Sequence, residues 1–432
     1  MRDIKQVVIA PDSFKGTMEA AQVCRIIQAS VRRCFPEAAV YCIPMADGGE
    51  GMVDAYLELL GGRRVFLTVQ GLQGRPVACH YGILPDGTAV MEMAACAGLP
   101  LLDGALDPMH TTTYGVGEML LHAERSGVQR VLLGIGGSAT VDCGLGMASA
   151  LGYRFLDKDG AQVEAVTCHM ADIASIIVPD RKPKLDIIAA CDVDNPLCGE
   201  TGAIYTFGKQ KGISEEMMPQ MDAQMKRFAR LITEQTGVDV LDVPGAGAAG
   251  GMGAALLAFL NAKLKPGVEL LLDAVGFDSL LKETDIVFTG EGRIDWQSTR
   301  GKVPVGVARR ARAAGVPCIA LCGSVGEGAE QVYDYGITAV FSSIGEICDF
   351  EQVKKNCIRD LKLLSDSVMR LLAAGSVQIL QTGAPLILDK KYVNGDLRNL
   401  WTKQIGYEHA RPAGISSALA DREITTERKD AQ

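Results

Sequence analysis

One arrangement recurs along this chain and limits its fold more than any other feature: a short apolar run, a glycine-bearing loop, then a helical pattern. Gln6–Ala10 (QVVIA) leads into PDSFKGT and a helix with apolar positions Val23, Ile26, Ile27 and Val31, for which Thr17 is the expected N-cap. Ala39–Ile43 (AVYCI) leads into MADGGEG and a helix over Met52–Leu60. The pattern returns late: Asp285–Thr289 precedes GEGRID and a helix around Val305–Ala314, Cys318–Cys322 precedes GSVGEG, and Ala339–Ser342 starts another strand. Strands alternating with helices predict an α/β fold with a parallel, Rossmann-like sheet and right-handed crossovers.

The middle of the chain has a different texture. Val77–Leu84 and Ala89–Met93 flank Pro-Asp-Gly, and Tyr153–Leu156 and Ala161–Val163 flank Asp-Lys-Asp-Gly, so two hairpins are expected. Antiparallel pieces inside a βαβ chain predict an inserted mixed α/β domain at residues 70–284. The outer domain is then discontinuous, residues 1–69 plus 285–374, and the cleft between the two is the expected active site. Residues 375–432 hold Trp401 and end in DREITTERKDAQ, which reads as a poorly ordered extension.

Composition narrows the partners. A net charge of −9 offers no basic surface for nucleic acid or an anionic membrane. The 13 cysteines include no C-x-x-C pair, and the five histidines are scattered, so reduced thiols in a cytoplasmic protein are expected. The opening apolar run is too short for a signal-peptide core. Gly245–Ala262 is uncharged, but its first half is nearly all glycine and alanine, which reads as a loop entering a buried helix rather than a membrane span.

Glycine is abundant, 49 of 432 residues, about one in nine where globular chains average about one in fourteen. It clusters at predicted strand ends, the edge where open α/β sheets bind ligands. Five loops share the composition: PDSFKGT (11–17), ADGGEG (46–51), GIGGSAT (134–140), CDVDNPLCGETGA (191–203) and GEGRIDWQS (290–298), with Gly301-Lys302 beyond. Each alone has an ordinary explanation. Lys15 fits a solvated lysine, Asp47 a turn aspartate, Asp192 and Asp194 a turn before proline, and Glu291, Arg293 and Asp295 surface ion pairs. Five such loops exceed what turn chemistry requires.

Phosphoryl transfer needs this set together: backbone N–H groups around phosphate oxygens, cations, carboxylates for Mg²⁺, and a group to orient the attacking hydroxyl. Lys15, Arg293 and Lys302 are candidate cations, and Asp47, Asp192, Asp194, Glu291 and Asp295 candidate carboxylates. A Walker A loop is absent, as is the protein-kinase H-R-D and D-F-G set. Gly134, Gly136 and Ala139 also match the dinucleotide fingerprint, with Asp157 about 20 residues on, so an NAD-dependent dehydrogenase is the alternative. Asp157 falls in a predicted hairpin turn, however, and no histidine sits in any glycine loop, which weighs against it.

Together PDSFKGT, ADGGEG, GIGGSATVDCGLGM, CDVDNPLCGETGA, PGAGAAGGMGAAL and TGEGRIDWQSTRGKVPVGVA resemble, in order, the bacterial glycerate kinase family of the glycerate 2-kinase type, over about residues 3–374. The resemblance implies two α/β domains and an ATP- and Mg²⁺-dependent kinase acting on D-glycerate, with 2-phosphoglycerate the expected product rather than 3-phosphoglycerate. On that reading Ser13 and Lys15 bind the glycerate carboxylate, with Arg293 a second candidate. Asp47 or Asp192 orients or deprotonates the hydroxyl, and Asp192, Asp194 and Glu291 are the Mg²⁺ candidates. Gly134, Gly136, Gly137 and Ser138 hold the nucleotide phosphates by their backbone, with Thr140 nearby. A non-catalytic glycerate or ATP sensor is a further alternative, and oligomeric state is not legible.

Overall fold

A computed structural model describes residues 4–45, 48–102, 106–346 and 349–374. Five strands, Gln6–Ile9, Ala39–Cys42, Ile286–Thr289, Cys318–Cys322 and Ile337–Ser342, form one wholly parallel sheet. Strand Gln6–Ile9 lies between Ala39–Cys42 and Ile286–Thr289, so segments almost 280 residues apart in sequence are neighbours. A second sheet of six strands is mixed. Lys263–Lys265, Asp186–Ala190, Arg130–Gly134 and Ala89–Glu92 run parallel, and Pro76–Ile83 and Arg63–Gln70 follow antiparallel. The α/β class with one parallel and one mixed sheet is therefore as the sequence implies.

Alternation along the strands decides how the layers stack, because successive side chains leave a strand on opposite faces. In the five-stranded sheet Val7, Ile9, Ile286, Phe288, Ile319 and Leu321 enter one core with helix Ala20–Cys34 and helix Phe350–Ala373. Val8, Ala10, Val287, Cys318, Ala320 and Cys322 point the other way. The six-stranded sheet splits likewise: Met91, Val131, Leu133, Ile187 and Ala189 go to its own core, but Val90, Leu132 and Ala190 do not. They join Val8 and Val287 in a cluster that also holds Met52, Val53 and Tyr56 of helix Met52–Leu60. One buried layer thus belongs to both sheets.

Several local expectations shift. Helix Ala20–Cys34 starts at Glu19 rather than at Thr17, because the Thr17 hydroxyl is spent on Phe14 O at 2.8 Å. Strand Arg63–Gln70, which the sequence reading left in the outer segment, pairs with Pro76–Ile83. Helices Gly267–Ala274 and Phe277–Leu281 send Val268, Leu271 and Phe277 into the shared layer, although they precede residue 285. The turn after Leu156 forms, with Asp157 Oδ1 accepting from Asp159 N and Ala161 N at 2.9 Å each. The expected hairpin forms as a short bridge, Leu156 opposite Gln162 with Asp157 N donating to Ala161 O at 2.9 Å and Val163 N to Phe155 O at 2.8 Å, while strand Arg154–Leu156 pairs along its length with Ser175–Ile177. The glycine-rich run becomes the buried helix Ala248–Leu260, kinked by positive φ at Ala249, Gly250 and Gly251. Among the described residues no helix is long and apolar enough to cross a membrane. The C-terminal extension from residue 375 lies outside the described residues.

Candidate active site

The loop after the first strand is a small hook. Phe14 and Met18 are buried and bonded to each other across it (Phe14 N to Met18 O 2.8 Å, Met18 N to Phe14 O 3.0 Å). Gly16 makes the reversal at φ +76°, a region where a side chain is strained. The hook thereby holds Lys15 out at its exposed tip. Asp12 N donates to Gly290 O at 2.8 Å, tying the hook to the end of strand Ile286–Thr289.

That tie brings two predicted loops together around one cavity of about 440 Å³, bordered by Ser13, Lys15, Glu291, Arg293 and Lys302. Glu291 is only 6% exposed. Its Oε1 accepts from Ser298 Oγ at 2.5 Å and its Oε2 from Lys302 Nζ at 3.4 Å. Burial raises its pKa, with Ser298 and Lys302 acting against that. Both oxygens therefore serve the loop they belong to. Arg293 is largely exposed, with Nε 3.3 Å from Asp295 Oδ2, and Asp295 caps the following turn through Gln297 N at 2.9 Å. On the other side of the hook a larger cavity, about 880 Å³, is bordered by Lys15, Glu50, Asp54, His80, Glu92 and Ala94.

The loop after strand Arg130–Gly134 does not itself line that larger cavity, but it is bonded to a segment that does. Leu99 N donates to Gly137 O at 3.1 Å and Ala139 N to Ala97 O at 2.9 Å, so the loop is stitched to the segment that supplies Ala94 and Pro100 to the cavity wall. A Cβ on Gly134 would stand 2.5 Å from Gly48 O, so glycine there is a packing requirement. The expected phosphate cradle is smaller than the motif implied. Ile135 N already donates to Ala190 O (3.4 Å) and Gly136 N to Gly48 O (3.2 Å). Among the described residues only Gly137 N and Ser138 N of residues 135–138 have no acceptor. Nor does the loop open a helix directly; the next one is the short Leu145–Ala150.

Two residues that the sequence does not single out support this loop. Lys211 is 2% exposed, and its Nζ donates to Ser138 Oγ and Thr140 O at 2.8 Å each. Burial lowers its pKa to about 7, with Asp142 acting in the opposite direction. Asp142 is fully buried and accepts from Thr113 N (2.9 Å), Thr113 Oγ1 (2.8 Å), Gly146 N (3.1 Å) and Gly144 N (3.2 Å). Behind them, Gly250 lies so close that a Cβ would meet Thr140 O at 2.1 Å. The D-C-G after GGSATV carried a signal for Asp142, since an aspartate before glycines is a natural cap. Nothing in FGKQKG marks Lys211 as buried.

The remaining candidates are dispersed. Asp192 Oδ1 accepts from Gly267 N at 2.8 Å, at the start of helix Gly267–Ala274 where a carboxylate is favoured. Asp194 is exposed in the same loop. Asp47 lies outside the described residues, although Gly48 beside it touches Ala190 and Gly134. Asp192, Asp194 and Glu291 do not converge: among the described residues no group of three or more His, Cys, Asp or Glu side chains is placed to hold a metal.

Glycine-lined strand ends and cations beside carboxylates are the equipment of an α/β phosphotransferase, and the chain is an enzyme of the kinase class. The glycerate kinase family model matches residues 7–373. A glycerate kinase of Halalkalibacterium halodurans is 46% identical over 351 residues, covering 80% of this chain and 92% of that one. A glycerate 2-kinase of Escherichia coli K12 is 41% identical over 375 residues, covering 86% and 98%. A crystal structure described as that of glycerate kinase 2 from Salmonella typhimurium LT2 superposes with a TM-score of 0.76 at 41% identity, covering 86% of this chain and 99% of that one. The chain belongs to the glycerate kinase family. No finding supports the dehydrogenase or sensor alternatives.

Proposed function

We propose that this enzyme transfers the γ-phosphoryl group of ATP to D-glycerate, giving 2-phosphoglycerate, in the cytoplasm. The observation that carries the reading is the Lys15 hook, with a small cavity on one side and a larger one on the other. The smaller suits a three-carbon acid: Ser13, Lys15 and Arg293 offer a hydroxyl and two cations to its carboxylate. The larger suits a nucleotide, and the loop bonded at Ala97 and Leu99 to a segment of its wall offers Gly137 N and Ser138 N to the phosphates, with Gly134, Gly136 and Thr140 shaping the loop. Lys15 borders both, where charge develops during transfer.

Asp192 or Asp47 orients or deprotonates the acceptor hydroxyl. For Mg²⁺ the donor set fits the way that ion binds beside phosphates, with one or two protein carboxylates and several waters. Asp192 and Asp194 on one strand-end loop would hold it, and when bound it neutralises charge on the transferring phosphoryl oxygens. Glu291, already bonded to Ser298 and Lys302, serves better to hold the acid-binding loop than to ligate metal. The domain division that accompanies this reading places the mixed unit at about residues 63–266.

Incubation of the protein with ATP, Mg²⁺ and D-glycerate, followed by phosphorus NMR, tests the proposal. A 2-phosphoglycerate resonance is expected. A 3-phosphoglycerate resonance overturns the substrate pose, and nucleotide binding without any phosphoglycerate overturns the catalytic reading in favour of a sensor.

A further inference from the structure

Lys211 is costly where it stands. Removing an ammonium from water is unfavourable by several kcal/mol unless a counter-charge is near. Here the two direct partners, Ser138 Oγ and Thr140 O, are neutral. Asp142 is the one charged group that acts on it among the described residues, and that carboxylate is already committed to four other donors. Neighbouring Lys209 is paired with Glu215 at the surface. The charge of Lys211 is thus incompletely answered by the protein.

The groups around it share that incompleteness. Gly137 N and Ser138 N have no acceptor among the described residues. Thr140 Oγ1 is fully buried and has no hydrogen-bond partner among the described residues. Three donors unused among the described residues of the loop 137–140, with the buried ammonium of Lys211 packed against it, are the complement of an anion, and turns of this kind bind anions through successive N–H groups.

We propose that Lys211 is a positioning residue for the nucleotide: from behind the loop it fixes Ser138 and Thr140, and its charge favours the phosphate anion that Gly137 N and Ser138 N receive. The proposal rests on the reading of this loop as the ATP-phosphate site. Lys211 touches no substrate and acts through the loop and through the local field. Because burial brings its pKa to about 7, it is partly neutral in the free enzyme, and anion binding draws a proton onto it. ATP affinity therefore falls as pH rises above about 7.

The test compares wild type, Lys211→Met and Gly137→Val by calorimetric titration with Mg-ATP from pH 6 to 9, together with KM for D-glycerate. Lys211→Met is expected to weaken Mg-ATP binding at least tenfold at pH 6.5, less at pH 9, and to leave KM for D-glycerate within twofold. Taking the ratio of the two proteins cancels the titration of ATP itself. A ratio near one at every pH overturns the proposal, as does equal loss for both substrates, which marks a merely structural lysine. If Lys211→Met does not fold, Ser138→Ala decides: weakened Mg-ATP binding supports the proposal, and unchanged binding overturns it. Gly137→Val separates the two layers of the argument. If it binds Mg-ATP normally, the loop reading fails; if it alone loses binding, only the role of Lys211 fails.

Discussion

Replacing Asp142 by alanine takes a carboxylate from four donors at once. Three are backbone groups that cannot turn away: Thr113 N, Gly144 N and Gly146 N. They lie at the starts of helices Tyr114–Arg125 and Leu145–Ala150, so the carboxylate joins the two. Each buried donor left without an acceptor costs about 1–3 kcal/mol. Two effects pull the sum down. Burial raises the Asp142 pKa, so its ionised form is itself unfavourable in place. The vacated volume also admits water to part of the network. The low end applies, about 3–5 kcal/mol in total. At roughly 1–2 °C per kcal/mol for a chain of this size, the melting temperature falls by roughly 3–10 °C. Calorimetry of Asp142→Ala beside Asp142→Asn, which keeps one acceptor and should lose about half as much, measures it. A loss below about 1 kcal/mol for the alanine variant would mean that the four bonds are replaceable, and the reasoning fails.

Gly134→Ala places a Cβ 2.5 Å from Gly48 O and 3.0 Å from Met52 Sδ, and should destabilise by about 1–3 kcal/mol in urea titration. Arg310 is 16% exposed and bonded to Glu269, Asp273 and Asp278. Arg310→Met leaves three carboxylates facing one another and should cost about 1–3 kcal/mol at low salt, visibly less at 1 M NaCl. Asp192→Asn keeps an oxygen for Gly267 N and so should fold normally, while kcat drops about 10²–10⁴-fold if Asp192 is the base. A near-wild-type kcat would leave that role to Asp47.

The parallel sheet was legible because its strands are short, β-branched runs closed by glycine, and Met52–Leu60 and Cys318–Cys322 fall where that pattern puts them. Arg63–Gln70 escaped because Phe66, 75% exposed, interrupts the alternation of Val65, Leu67 and Val69. The second hairpin forms only as a short bridge, for a different reason. Turn chemistry at Asp157 is local and readable, but which strand pairs with Arg154–Leu156 is settled at a distance by Ser175–Ile177. In the site, glycine and charge marked the loops, and Ser13, Lys15, Glu291 and Arg293 do border one cavity. Lys211 stayed hidden, since in composition it is one more lysine and only the fold buries it. Likewise GIGGSAT announces backbone N–H groups, and only the structure reveals that Gly48 O and Ala190 O have claimed two of them.

A hinge requires two bodies with separate interiors, and the shared layer denies this enzyme that option. Helix Met52–Leu60 buries Met52, Val53 and Tyr56 in the layer both sheets share, so drawing the strand ends together means sliding Met52 and Val53 past Val90 and Leu132 while all stay packed. Side chains resist such sliding; bare backbone does not. Where Gly134 and Gly136 rest on Gly48 and Gly49 the two halves meet backbone to backbone, a bearing surface at the strand ends.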